Sequence, residues 1–309
     1  MIIHGIIERG KKYIKGIVVQ KGQYIVSNEH SHEGERLRLL NEAYAPIAQK
    51  VLSKYLKKGD AILEIGMGSG EMGAWFSDQI GPSGKYMGVD VNPTQIERAS
   101  QHLKESKNVT LIQENIFNLD KNSKFLQIKP LQGFNLIYCR WLLCHILESD
   151  RKKFIQIILS LLAPNGVFIC EDSDYRGMYL QVSGIPSESK AIDGWKEITI
   201  LLKQKGVLNL EYSPEKMLAD FKEIIKDSPQ YTAEIVEVFQ AELKGKQKYS
   251  LIYGLETIKK AALVHAEYSE EKIDNLIKEF KKIAENNLAT VFFYFNTFGR
   301  IMKQEAKKS

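Results

Sequence analysis

Cysteine is scarce in this chain of 309 residues. Cys139, Cys144 and Cys170 are too few and too irregularly spaced for a disulfide framework or a zinc site, and they read as reduced, buried thiols. No apolar run approaches the ~18 to 20 residues needed to cross a bilayer. The N-terminus lacks the apolar core and small-residue cleavage site of a signal peptide, so the expectation is a soluble protein of the cytoplasm. Charge of one sign is in small excess: 43 basic against 38 acidic residues give +5, spread along the chain. Dispersed lysine is a solvated surface, which counts against nucleic acid as a partner. Internal repeats and low-complexity segments are also missing, so a solenoid is not expected.

Hydrophobic residues, at 44%, suit one large α/β domain with additions or two small domains. From residue 60 short apolar runs alternate with longer amphipathic ones. AILEI (61 to 65), KYMGVD (85 to 90), VTLIQ (109 to 113), FNLIYC (134 to 139) and GVFICED (166 to 172) read as five buried strands. Helices are expected near 71 to 80, 93 to 105 and 150 to 162. Asn92-Pro93 opens a helix, Gly81-Pro82-Ser83-Gly84 turns into the second strand, and Ala163-Pro164-Asn165-Gly166 stops a helix before the fifth. Leu37, Leu40, Tyr44, Ile47, Val51 and Tyr55 mark an earlier amphipathic helix lying on the sheet. Such alternation predicts a doubly wound, mostly parallel sheet.

Beyond the fifth strand the pattern changes. A polar, glycine-containing stretch at 173 to 186 precedes a helix near 187 to 205. Residues 231 to 243 read as a further strand, 251 to 267 and 270 to 286 as helices, and TVFFYFNTFGRIM (290 to 302) as a last strand.

The stretch ILEIGMGSGEMG (62 to 73) contains two glycine patterns. From Gly66 it is G-x-G-x-G after a strand; from Gly68 it is the G-x-G-x-x-G of a dinucleotide site. Asp90, about twenty residues on, would take ribose hydroxyls in either case. The strand ends at Ile65, so the register from Gly66 fits better, whereas one from Gly68 begins two residues late. Glu64 and Glu71 place carboxylates where a pyrophosphate would sit, which disfavours that anion. A ligand with a ribose, an adenine and a cationic tail suits these residues instead.

LEIGMGSG, GVDVNPTQIERA, ENIFNL (114 to 119), FNLIYCRWLLCHIL (134 to 147) and LLAPNGVFICED occur in the order of five motifs, and through them the chain resembles the class I S-adenosylmethionine-dependent methyltransferases over roughly residues 24 to 175. More loosely, YIVSNEH…EGERLRLL and LETIKKA…FNTFGRI resemble bacterial small-molecule methyltransferases with an N-terminal lid. The resemblance implies a seven-stranded Rossmann-like sheet. It divides the chain into a lid at 1 to 33 and a methyltransferase domain at 34 to 309, with a cap insertion at about 176 to 213 and a helical insertion at about 250 to 288. It also implies S-adenosylmethionine as cofactor and O- or N-methylation of a small molecule.

Carried residue by residue, the resemblance puts Gly66, Gly68 and Gly70 beside the methionine and ribose, with Glu64 orienting the loop or the ammonium. Asp90 takes both ribose hydroxyls. Asn115, where the family commonly has Asp, accepts from the adenine amino group through its amide oxygen, with Ile116 beside it. Arg140 meets the cofactor tail or borders the reaction centre, and Tyr24 and Arg36 join from the lid.

Methyl transfer from a sulfonium needs alignment in a dry pocket rather than an invariant triad. Candidate bases are His145, Asp172 and Tyr175, with Asp174 nearby. For His145 a packed, hydrogen-bonded histidine is the stronger reading and a general base the weaker one, and Gly73 reads as a helix-packing residue. The roof is expected from Tyr24, His30, His32 and Arg36 on one side and from Tyr179 and Trp195 on the other, which suggests a partly apolar acceptor. Ile2, Ile3, Ile6, Ile7, Tyr13, Ile14, Ile17 and Val18 form a stripe beside Arg9, Lys11, Lys12 and Lys15. That segment fits a membrane surface, a hairpin or a homodimer contact. Two further readings stay open: a cofactor-binding regulator without turnover, and a protein or nucleic-acid methyltransferase.

Overall fold

In a computed structural model of the chain, residues 32–206, 212–265 and 268–304 are described. The elements follow in the order α1 (Glu33–Leu52), β1 (Ala61–Ile65), α2 (Glu71–Ile80), β2 (Lys85–Asp90), α3 (Pro93–His102), β3 (Val109–Gln113), α4 (Ser123–Ile128), β4 (Phe134–Arg140), α5 (Glu148–Ser160) and β5 (Leu162–Asp174). Then come β6 (Tyr179–Val182), β7 (Ile185–Ser187), α6 (Lys190–Gln204), α7 (Pro214–Ile225), β8 (Tyr231–Leu243), α8 (Tyr249–His265), α9 (Glu270–Glu285) and β9 (Ala289–Lys303).

The five expected strands run parallel in the order β3-β2-β1-β4-β5. β9 adds antiparallel to β5, and β8 pairs antiparallel with the far edge of β9. Those seven strands are the expected sheet. The first half of β9 also pairs with β6, which turns back into β7, so the sheet has nine strands. β6 and β7 fall in and beside the polar stretch expected at 173 to 186, because strands of four and three residues carry too little apolar alternation to stand out. α7 lies outside the expected elements, although Ser213, Pro214 and the spacing of Met217, Phe221 and Ile225 announce it.

Local chemistry sets the helix starts. Asn92 accepts from Thr94 N ahead of Pro93, and Ser189, Ser213 and Ser269 cap α6, α7 and α9 in the same way. α1 starts at Glu33, earlier than the periodicity from Leu37 indicates, so Arg36 stands on a helix.

Two cores sandwich the parallel sheet. On one face Leu63, Ile137 and Phe168 pack with Phe154 and Ile158 of α5 and with Met217 and Phe221 of α7. On the other, Ile62, Leu136 and Ile169 pack with Val51 and Leu52 of α1 and Phe76 and Ile80 of α2. A third core joins Trp195, Ile198 and Leu202 of α6, Leu251 and Leu255 of α8, and Ile273 and Phe280 of α9 to Val291 and Phe293 of β9. This third core fixes a helical cap above the carboxyl ends of β4 and β5. Among the described residues no helix is long and apolar enough to cross a membrane.

Candidate functional site

Strand order reverses between β1 and β4, and in an open α/β sheet the crevice outside the carboxyl ends at such a point receives ligands. A cavity of about 330 Å³ lies there. The loop after β1 forms one wall. Gly66, Gly68 and Gly70 have φ of 69°, 56° and 79°, a region that side chains with a Cβ rarely enter, whereas Gly73 does not share it. A Cβ at Gly73 would meet the Tyr86 hydroxyl at 2.8 Å, so its role is close helix packing, and the glycine register from Gly66 is the one that builds the loop. Backbone bonds from Gly66 N and Met67 N to Val89 O fasten the loop to the end of β2.

Asp90, at the end of β2, lines the cavity and accepts from Gly68 N and Asn92 N, each at 2.9 Å. Burial pushes its pKa up against the pull of those two donors. Val91 N–H adds to these donors, and the carboxylate retains acceptor capacity towards the cavity it lines. Asn115 and Ile116 line the same end; the Asn115 side chain also accepts from Phe117 N at 3.0 Å.

Arg140 ends β4. Its Nη2 donates to Asn41 Oδ1 at 2.9 Å, and its guanidinium lies 5.0 Å from the Trp141 ring centre. Nη1 is buried with no hydrogen-bond partner among the described residues. Burial opposes this charge, but Tyr138, Glu171 and Glu64 nearby raise its pKa and keep it protonated. Such an orphaned N–H pair is costly unless an anion meets it, and a carboxylate suits a guanidinium.

Trp141 follows with φ 54°, a conformation costing on the order of 1–3 kcal/mol in a non-glycine residue. A network beneath it holds the turn. Trp141 Nε1 and Ser173 Oγ donate to Asn296 Oδ1, and Asn296 Nδ2 donates to Glu171 Oε1 at 2.6 Å. Tyr138 donates to the other Glu171 oxygen.

His145 closes the next turn and lines the cavity. Burial, and then the charge of Arg36, lowers it to about 4. It is therefore neutral near pH 7. Arg36 also lines the cavity and is held by the buried Glu33 through bonds of 2.7 and 2.8 Å. Thr257 Oγ1 of α8 lies 3.3 Å from the same carboxylate and 2.7 Å from Tyr253 O, which places α1 against the cap.

The remaining expected residues stand elsewhere. Glu64 lies under the loop, accepting from Tyr86 at 2.7 Å, and Gly70 packs on Ala99 and Leu103; neither lines the cavity. Asp172 accepts from Cys144 N at 3.2 Å and Ser173 N at 2.8 Å, so it clamps the 141–145 turn from below. Tyr175 packs into the third core beside Met178 and Trp195. Thus, of the three candidate bases, His145 alone reaches the cavity. Tyr24, His30 and the stripe at residues 1 to 20, with the homodimer and membrane readings attached to it, lie outside the described residues.

Sequence reasoning missed Phe293 and Tyr294 of β9 and Ser250, Gly254, Thr257 and Ile258 of α8, all in the lining. Phe292-Phe293-Tyr294-Phe295 is aromatic at every position, which hides the period-two signal that marks an inward face. Among the described residues no cluster of His, Cys, Asp or Glu could hold a metal ion.

A family model described as methyltransferase domain matches residues 56–285. The chain belongs to this methyltransferase-domain family. Two solved structures place the methyltransferase in the same fold. It is similar to the YcgJ protein of Bacillus subtilis, with a TM-score of 0.52 at 17% identity over 85% of this chain and 100% of that one. It is also similar to a cyclopropane-fatty-acyl-phospholipid synthase-like protein of Lactobacillus casei, with a TM-score of 0.56 at 18% identity over 88% and 94%. No curated protein matches the methyltransferase significantly. The class I resemblance read from the motifs thus holds for family and fold.

Proposed function

We propose that this methyltransferase carries a methyl group from S-adenosylmethionine to an oxygen or nitrogen of a small-molecule acceptor. The observation that carries the reading is the buried, unpartnered Nη1 of Arg140 in the same cavity as the Asp90 carboxylate, a cation for the methionine carboxylate and an anion for the ribose. Gly66 and Gly68 let the ligand approach the backbone between them, and Asn115 and Ile116 stand at the adenine end. When bound, S-adenosylmethionine supplies an activated methyl on a sulfonium.

The chain's own contribution is alignment and exclusion of water. Arg140 would hold the methionine tail of the cofactor and Asp90 its ribose. The neutral His145 offers a lone pair to an acceptor proton, while the approach of Thr257 of α8 to Glu33 of α1 brings those two helices together beside the cavity. Enclosure by α6 and α8 supports a small acceptor over a polymer.

Calorimetric titration with S-adenosylmethionine, S-adenosylhomocysteine and NADH tests the cofactor. Micromolar binding of the first two alone is expected; binding of NADH alone would replace methyl transfer with hydride transfer.

A further inference from the structure

Away from the glycine loop, the cavity continues between α6, α8 and β9. Trp195 and Phe293 supply flat apolar walls there, with ring centres 6.4 Å apart. Gly254 makes room for the first of them: a Cβ at that position would come within 2.8 Å of the Trp195 ring.

Hydroxyl groups are present at this end, but most have spent their proton. Thr199 Oγ1 donates to Trp195 O at 2.9 Å, and Ser250 Oγ donates to Gln247 O at 2.6 Å. Thr257 Oγ1 turns to Tyr253 O at 2.7 Å or to Glu33. Tyr294 differs. Its oxygen accepts the Trp195 indole N–H at 2.6 Å, so its own O–H is left to donate. Tyr294 is 6% exposed, and Trp195 likewise. The phenol is thus a buried donor fixed in direction by the indole.

Among the described residues, formal charge at this end is confined to Arg36, which Glu33 meets through two short bonds. A charged acceptor brought here would lose its water and gain no counter-ion from the described residues, a cost of several kcal/mol. An uncharged one would lose little and gain the apolar walls.

Resting on the methyl-transfer reading above, we propose that this compartment takes a flat, apolar, uncharged acceptor and fixes it through one hydrogen bond from the Tyr294 O–H to an acceptor oxygen. Trp195 is then both a wall and the group that aims the donor.

Three probes on one ring skeleton test this: naphthol, the anion naphthoate and the cation naphthylmethylamine, each titrated calorimetrically into the protein saturated with S-adenosylhomocysteine. Naphthol is expected to bind about tenfold or more tightly than either charged analogue, the scale of an uncompensated buried charge. In Tyr294→Phe its affinity falls about fivefold, one lost hydrogen bond, with S-adenosylhomocysteine affinity unchanged. Failure of naphthol to bind, a charged analogue that matches it, or a folded Tyr294→Phe protein that binds naphthol as before overturns the proposal.

The charge series uses the unmodified chain and decides the acceptor class even if the variant does not fold. In that case Trp195→Phe tests the donor: released from the indole, Tyr294 should hold naphthol about threefold more weakly, and unchanged affinity removes its role. If S-adenosylhomocysteine itself does not bind, the cofactor reading falls. The same titrations on the bare protein then judge the compartment alone.

Discussion

Tyr86 of β2 donates its phenol proton to the Glu64 carboxylate of β1 at 2.7 Å, across two neighbouring parallel strands. Both are buried. Desolvation raises Glu64 to about 7 despite the phenol and the charge of Arg140. The folded protein therefore holds this proton more tightly than the unfolded chain. Stability from this group is full below the ordinary carboxyl range and is lost as pH rises through about 7. Glu64→Gln should flatten that decline and raise stability at pH 8 by on the order of 2 kcal/mol. Thermal melts of both proteins from pH 5 to pH 8 check it; parallel curves would mean that Glu64 is ionised throughout.

Asp90→Asn keeps an oxygen for Gly68 N but loses the charge that the ribose hydroxyls meet. S-adenosylhomocysteine binding should weaken by about 1.5–3 kcal/mol, the scale of a charge-assisted hydrogen bond. Calorimetry on a variant with wild-type circular dichroism is the measurement, and equal affinity would withdraw the ribose assignment.

Arg140 makes a discriminating prediction through its unpartnered nitrogen. S-adenosylhomocysteine carries the amino-acid tail and methylthioadenosine lacks it, so the wild type should prefer the former by about 1.5–3 kcal/mol. In Arg140→Met that preference should collapse, with methylthioadenosine binding nearly unchanged. Retention of the full preference places the carboxylate elsewhere.

His145 is lowered to about 4 by burial and Arg36, so it is neutral across the physiological range. An enzyme using it as base should show no limb near pH 6.5 in its rate profile. His145→Gln should reduce kcat about tenfold or more while cofactor affinity stays constant. Unchanged kcat would return His145 to packing. Its linkage has the opposite sign to that of Glu64: a depressed histidine contributes stability above the ordinary imidazole range, and this is lost as pH falls through about 4.

The glycine-loop side of the cavity was legible because its signals are local. Strand end, glycine spacing and the acid at the end of the next strand lie within residues 62 to 90, and the register from Gly66 follows from where Ile65 ends the strand. The roles of the candidate bases were not legible. Asp172 and His145 look alike as polar residues after strands, yet one faces backbone N–H groups under a turn and the other the cavity. Which way a side chain points after a strand depends on the turn, and here the turn rests on Trp141 at positive φ above a network anchored by Asn296 of β9.

By itself the sequence determined the parallel sheet, its flanking helices and the glycine loop, since hydrophobic period, caps and turn residues act over a few positions. Tertiary structure alone decided the end of the cavity between α6, α8 and β9. Trp195 and Tyr294 are 99 residues apart, and Thr257 reaches Glu33 across 224. Packing of α6 and α8 on the first half of β9 brings Trp195, Tyr294 and Thr257 to one cavity. Apolar burial drives that packing without direction, and the few buried hydrogen bonds then select which side chain keeps a free proton.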